Sequence, residues 1–205
     1  MNTTAENSIN NSYGISEKAK NKCRLSVVVS VYNEEKALRD FYRETNKVLE
    51  QIETLGWEHE LVFVNDGSKD QSLNILEELA GMDKNVKVVS FSRNFGHEAA
   101  MIAGIDYSTG DGIICMDADL QHPPECIPKI IEKFDAGYEV INMVRTKNQS
   151  AGLIKNITSS GFYWLINHIS DVHFEPNASD FFAISRHVAQ VLKDHYREKV
   201  RFLRG

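Results

Sequence analysis

Positive charge, cysteine, proline and long apolar runs are all scarce in this sequence. Lysine and arginine number 23 against 29 aspartates and glutamates, a formal net charge of −6. Nucleic-acid binders carry the opposite excess, so that class is set aside. The three cysteines, Cys23, Cys115 and Cys126, show neither disulfide-framework nor metal-finger spacing. Two of them sit in or beside apolar runs, which reads as buried thiols in a reducing compartment. No window holds the roughly 18 consecutive apolar residues of a membrane span. The first twenty residues lack the apolar centre of a secretory signal. No GxGxxG follows the first apolar run and no GxxxxGK[ST] occurs anywhere, so neither a dinucleotide oxidoreductase nor a P-loop enzyme is indicated.

What is present is an alternation of short β-branched runs and amphipathic stretches. The 205 residues fit one sizeable domain. Residues 1–22 are polar and aperiodic, which predicts a disordered tail. Strands are expected at 25–31, 60–64, 86–91, 113–116 and 139–144. Helices are expected from about 36 to Leu55, and at 71–80, 97–107 and 127–134. The first of these carries an apolar stripe of Leu38, Phe41, Tyr42, Thr45, Val48, Leu49, Ile52 and Leu55, at three- and four-residue steps. This βαβαβαβαβ rhythm predicts a parallel sheet covered by helices. After Arg145 the rhythm breaks. A helix is expected at 153–169, a loop at 171–180, a short strand at 181–185 and a helix at 186–195. The last twenty residues hold six Lys/Arg against two acids, and a chain ending there reads as cut.

The most specific stretch is DGIICMDADLQHPPE, 111–125. An apolar strand stops at Asp117, Asp119 and Gln121 in alternation, and in extended chain such residues point to one side. Two carboxylates and an amide oxygen form a hard oxygen set suited to Mg²⁺ or Mn²⁺ when a diphosphate completes the shell. An EF-hand is excluded by the missing glycine at the sixth loop position and by Pro123-Pro124. His122 is expected at the rim. The run that starts at His97 reads mostly as core.

Ligands of an open parallel sheet bind beyond the carboxyl ends of its strands. Those ends deliver Tyr32, Asn33 and Glu34; Asn65, Asp66 and Ser68; Arg93, Asn94 and Gly96; Asp117, Asp119 and Gln121; and Arg145. Singly, several have structural readings. Asp70 can cap a helix, and Tyr32-Asn33-Glu34 can be helix-entry chemistry. Together they outline a nucleotide site, with Glu34 and Asp66 as acceptors near the nucleoside and Arg145 near a phosphate.

These residues resemble the family-2 glycosyltransferases of the GT-A fold, an α/β Rossmann-like, mostly parallel sheet flanked by helices. Within them the pattern is most similar to the dolichyl- and polyprenyl-phosphate mannosyl- and glucosyltransferases. The matching stretches are VVVSVYNEE (27–35), VNDGSKD (64–70), SRNFGHEAAMIAG (92–104), MDADLQHPPE (116–125), Arg145, Phe162-Tyr163, NASDF (177–181) and RFLRG (201–205). The resemblance spans 25–205, and a catalytic domain over 23–205 is expected. It implies that Ser30, Tyr32, Glu34, Val64 and Asp66 line the nucleotide pocket, with Asn33, Arg93 and Gly96 on the adjoining strand ends. It further implies that Asp117, Ala118, Asp119 and Gln121 hold the metal–diphosphate, that Asp119 orients the attack, and that Arg201 and Arg204 lie near a phosphate at the membrane face.

The implied reaction is an inverting transfer of a hexose from a UDP- or GDP-sugar to polyprenyl phosphate, on the cytoplasmic face of a membrane. Membrane attachment through a further C-terminal segment and homo-oligomerisation are part of the same expectation. A saccharide acceptor in cell-wall or capsule synthesis is the alternative reaction, and a non-catalytic nucleotide-binding domain the alternative class. Two departures stand out: Ser30 where the family usually has proline, and Ser179-Asp180-Phe181-Phe182 where a basic residue is usual.

Overall fold

The computed structural model describes residues 22–144 and 178–195. Strands β1 (Cys23–Val31), β2 (Trp57–Asn65), β3 (Val86–Ser90), β4 (Gly112–Asp117), β5 (Val140–Val144) and β6 (Ala178–Ser185) form one sheet in the order β3-β2-β1-β4-β6-β5. The first four run parallel. Strand β6 is antiparallel to both β4 and β5, so β5 runs in the same sense as β4. The sheet is therefore mixed but largely parallel, an α/β fold of the GT-A kind. Strand β6 begins at Ala178, inside the stretch expected to be a loop. The expected tail at 1–22 (but for Lys22) and the expected helix at 153–169 lie outside the described residues, as do Arg145, Arg201 and Arg204.

Five helices cover the sheet: α1 (Leu38–Glu53), α2 (Ser72–Met82), α3 (His97–Tyr107), α4 (Ile127–Asp135) and α5 (Arg186–His195). Period-two alternation divides the strand side chains between two cores. Val27, Val29 and Val31 of β1 join Phe63, Ile114 and Met116 beneath α1, α2 and α4. Val28, Val62, Ile113 and Cys115 pack on the other face with Met101 and Ile105 of α3 and Ala189 of α5. Each such fully buried aliphatic side chain contributes about 1.5–3 kcal/mol. This is why β1 and β4 can end abruptly in polar residues without loosening. Burial among these side chains pushes the Cys115 thiol pKa up. Helix α1 stops at Glu53, where the Thr54 hydroxyl donates to the Gln51 carbonyl at 2.6 Å. Leu55, expected in the stripe, lies past that end and is 58% exposed.

The amino-terminal edge of the sheet is closed by charge. Glu60, buried in β2, accepts from the Ser26 hydroxyl (2.6 Å), the Thr109 N–H (2.6 Å) and hydroxyl (2.9 Å), and Lys87 Nζ (2.7 Å). Burial alone would raise its pKa, but those four donors together hold it below the usual range. Arg186 Nε donates to the Gly110 carbonyl at 2.8 Å and fixes the turn into β4. The chain runs from β1 outwards to β2 and β3, then returns to the other side of β1 as β4. That reversal opens a crevice between the carboxyl ends of β1 and β4.

Candidate active site

Four strand ends build the crevice, and hydrogen bonds between the loops after β1, β2 and β3 fix it. After β1 the chain turns through Asn33 at φ 58°. The Asn33 N–H donates to Ser68 Oγ (3.0 Å), the Glu34 N–H to Ser72 Oγ (2.9 Å) and the Glu35 N–H to Asp70 Oδ2 (3.1 Å). In return the Lys69 N–H donates to Asn33 Oδ1 at 2.8 Å. Asp70 Oδ1 also accepts the Ser72 N–H at 3.0 Å, a turn bond ahead of α2; the N-cap itself is Gln71 and has no side-chain cap, so Asp70 does not cap the helix as expected. Asn33 thus ties the β1 and β2 loops together and does not line the crevice.

Asp66 follows β2 and is 1% exposed. Its Oδ1 accepts the Phe95 N–H (2.7 Å) and its Oδ2 the Gly96 N–H (2.9 Å). One carboxylate therefore holds the β3–α3 loop against β2. Gly67, at φ 65°, is pressed by the same loop: a Cβ there would lie 2.7 Å from Arg93 Cα and from Asn94 N. Arg93 itself does not line the crevice; its guanidinium carbon sits 4.3 Å above the Phe95 ring. Gly96 contributes its N–H and the φ of 100° that starts α3. Val64 is fully buried, packed towards Gly104 of α3, and presents no side chain to the crevice.

Beyond β4 the chain is not extended, and the alternating convergence expected of Asp117, Asp119 and Gln121 does not occur. Ala118 and Asp119 form a turn, Leu120 adopts φ 57°, and the Gln121 N–H donates to Asp119 Oδ1 at 2.9 Å. Asp117 and Asp119 both line the crevice, while Gln121, beyond the left-handed Leu120, stays outside its lining. His122, expected at the rim, is buried with its ring 5.1 Å from that of Phe181. The imidazole fills space that a solvated rim residue would leave empty.

The resulting cleft holds about 280 Å³ and is lined by Ser30, Tyr32, Glu34, Asp66, Asn94, His97, Asp117, Ala118 and Asp119. Asn94 and His97 are the additions to the residues singled out from sequence. His97, read as core, is the first residue of α3 and places Nδ1 3.5 Å from Asp117 Oδ1. Its sequence signal was its place directly behind a strand-end loop, masked by the Ala/Met run that follows. The Glu34 carboxyl pKa is raised above its ordinary value of 4.5, first by burial, then by Asp119, Asp117 and Asp70. The cleft is thus a confined negative field. A larger groove of about 490 Å³ lies at the opposite edge of the sheet. Within it Arg24 pairs with Glu58 at 2.9 Å and Lys87 with Glu60 at 2.7 Å, so much of its charge is already compensated.

Among the described residues no group of three His, Cys, Asp or Glu side chains is placed to hold a metal ion. The donor chemistry nevertheless suits a divalent cation that takes its remaining ligands from a substrate: Asp117 and Asp119 supply two carboxylates at an open cleft. The mutual repulsion at Glu34 is the imbalance such a cation would relieve.

A mostly parallel sheet with an acidic cleft at its reversal point defines an α/β domain of the GT-A class. Residues 26–192 match the model of glycosyl transferase family 2, and the chain belongs to that family. It is 43% identical to the uncharacterized glycosyltransferase YkcC of Bacillus subtilis over 88% of this chain and 54% of that protein. It is likewise 43% identical to the bactoprenol glucosyl transferase of Shigella phage SfX over 83% of this chain and 55% of the relative. The chain spans about half the length of these curated relatives. In fold it is similar to the mannosyltransferase of Pyrobaculum calidifontis solved with GDP-Man and Mn²⁺ (TM-score 0.57, 17% identity, 84% of this chain and 47% of that one). Staphylococcus aureus TarS 1–349 has the same fold (TM-score 0.56, 20% identity, 83% and 48%).

Proposed function

We propose that this chain carries the donor site of an inverting transferase that moves a hexose from a UDP- or GDP-sugar to polyprenyl phosphate at the cytoplasmic face of a membrane. The observation that carries this reading is the cleft between β1 and β4, where Asp117, Asp119 and Glu34 crowd around one opening. Relatives named bactoprenol glucosyl transferases, at 43–44% identity, support the lipid acceptor. Tyr32, 42% exposed at the cleft, offers a flat face to a base, and Glu34 offers an acceptor to the nucleoside. Asp66 acts mainly by position, since both its oxygens hold the loop that carries Asn94 and His97.

Asp117 and Asp119 would hold Mg²⁺ or Mn²⁺, which when bound offsets the negative charge that develops on the leaving nucleoside diphosphate. Asp119, exposed at the turn, would orient the attacking oxygen. A lipid phosphate is already ionised near neutrality, so it needs no strong general base; a saccharide hydroxyl would. Arg145, Arg201 and Arg204 are assigned to donor and acceptor phosphates. No helix among the described residues is long and apolar enough to cross a membrane.

The test is transfer of radiolabel from UDP-glucose or GDP-mannose to undecaprenyl phosphate. Label extractable with the lipid is the expected result. Label found only in water-soluble oligosaccharide would replace the lipid acceptor with a saccharide one.

A further inference from the structure

The donor site proposed above gives a nucleoside a flat face at Tyr32 and an acceptor at Glu34, but a base also carries carbonyl oxygens that need a donor. The four carboxylates of the cleft only accept when ionised. Two further lining groups stand beside the aspartates. His97 Nδ1 faces Asp117 Oδ1 at 3.5 Å. Ser30 is level with Asp117 in the register of β1 on β4. Asn94 is left. It belongs to the loop that leaves β3, and β3 lies on the far side of β1 from the aspartates of β4. A diphosphate held at those aspartates leaves its nucleoside to extend to that side. The Asn94 carboxamide is exposed at the cleft and makes no hydrogen bond among the described residues. Its backbone, by contrast, is fixed. Asp66 clamps the Phe95 and Gly96 N–H groups that follow it, at 2.7 and 2.9 Å. From the other side Gly67 is so close that a Cβ there would lie 2.7 Å from Asn94 N. A fixed backbone with an uncommitted side chain is a preorganised contact.

We propose that Asn94 reads the base of the nucleoside diphosphate, its amide N–H donating to a base carbonyl and its oxygen accepting the adjacent ring N–H. This rests on the donor-site reading above. A carboxamide places a donor and an acceptor side by side. Uracil and guanine each present a ring N–H next to a carbonyl oxygen, so the same pair of bonds serves either base. Asp66 then serves the base indirectly. Both its oxygens are spent on the loop that presents Asn94, and Asn94 makes the contact that a free carboxylate there would have made.

Titration of UDP and of GDP, with Mn²⁺, into the parent and into Asn94→Ala tests this, with ribose diphosphate, which lacks the base, as the control ligand. Whichever nucleoside diphosphate the parent binds should be held on the order of 10-fold more weakly by Asn94→Ala, while ribose diphosphate should be held equally by both. The thermal midpoint of the ligand-free variant should match the parent's. Unchanged affinity for UDP and GDP would overturn the assignment and leave the donor site standing. So would an equal loss for ribose diphosphate, which would place Asn94 on the sugar or the phosphates. An unfolded Asn94→Ala would overturn the premise that the side chain is uncommitted. Failure of both UDP and GDP to bind the parent would remove the donor site, and Asn94's role with it.

Discussion

Glu34 is the residue on which the electrostatics of the cleft converge. Burial and the neighbouring Asp119, Asp117 and Asp70 raise its pKa above 4.5. A carboxyl whose folded pKa is raised lends stability at low pH. That stability is lost as pH rises from 4.5 through the raised value, and at neutrality the ionised group opposes folding. Glu34→Gln should therefore raise the thermal midpoint of the ion-free protein at pH 7. The rise should be small, about 1–2 °C, because the group is partly solvated. Scanning calorimetry with and without Mn²⁺ checks this, and the gain should shrink when the ion is present.

His59 makes the opposite case at the other edge of the sheet. Burial lowers its pKa below 6.5, against the opposing pull of Glu53, Asp83 and Glu50. For a base with a lowered folded pKa, stability is complete above 6.5 and is lost as pH falls through the window below it. The thermal midpoint should drop between pH 7 and pH 5.5. His59→Gln, which keeps a partner for Asn85 but does not titrate, should flatten that slope. Together the two residues separate the functional edge, which resists its own charge, from the structural edge, which has neutralised it.

Among the elements, the β3–α3 loop is the piece on which the site depends most. It has no core of its own; Asp66 and the flat approach at Gly67 hold it. Gly67→Ala should destabilise the chain by at least about 2 kcal/mol, since the new Cβ meets backbone atoms and φ is positive. Urea titration would measure the loss. Nucleotide affinity should fall more than stability alone explains, because the shifted loop carries Asn94 and His97. An unchanged midpoint would show that the loop yields easily and does not set the cleft.

The same element shows what the sequence carries and what it leaves out. Apolar runs and glycine stops marked β1 to β4 and α1 to α4 closely, because local pattern and burial agree there. The end of β4 was legible as the acidic centre, since neither Asp117 nor Asp119 has a core role. Its geometry was not legible, because only Leu120 in a left-handed conformation converts an extended alternation into a turn. Strand β6 was placed late for a different reason. It inserts antiparallel between β4 and β5, pairing Phe182 with both Cys115 and Asn142. Such partners are far apart in sequence and leave no periodic trace. His97 was hidden by its neighbours, because an imidazole opening an Ala- and Met-rich helix looks like the start of a buried face.

At the scale of the molecule, the two edges of one sheet divide the labour. Charge pairs and the buried Glu60 close the amino-terminal edge, while the carboxyl edge gathers acids it does not neutralise. An acidic cleft is a poor receptor for a diphosphate unless a cation joins them, so nucleotide and ion should bind as a unit. Isothermal titration of UDP and GDP into the chain, with Mn²⁺ or with a chelator, tests this most directly. The prediction is that one nucleoside diphosphate binds only with the ion. Its affinity should fall on the order of 10–100-fold in Asp117→Asn and in Asp119→Asn, with each variant within about 0.5 kcal/mol of the parent's stability. Equal affinity in parent and variants, or binding that ignores the chelator, would contradict it.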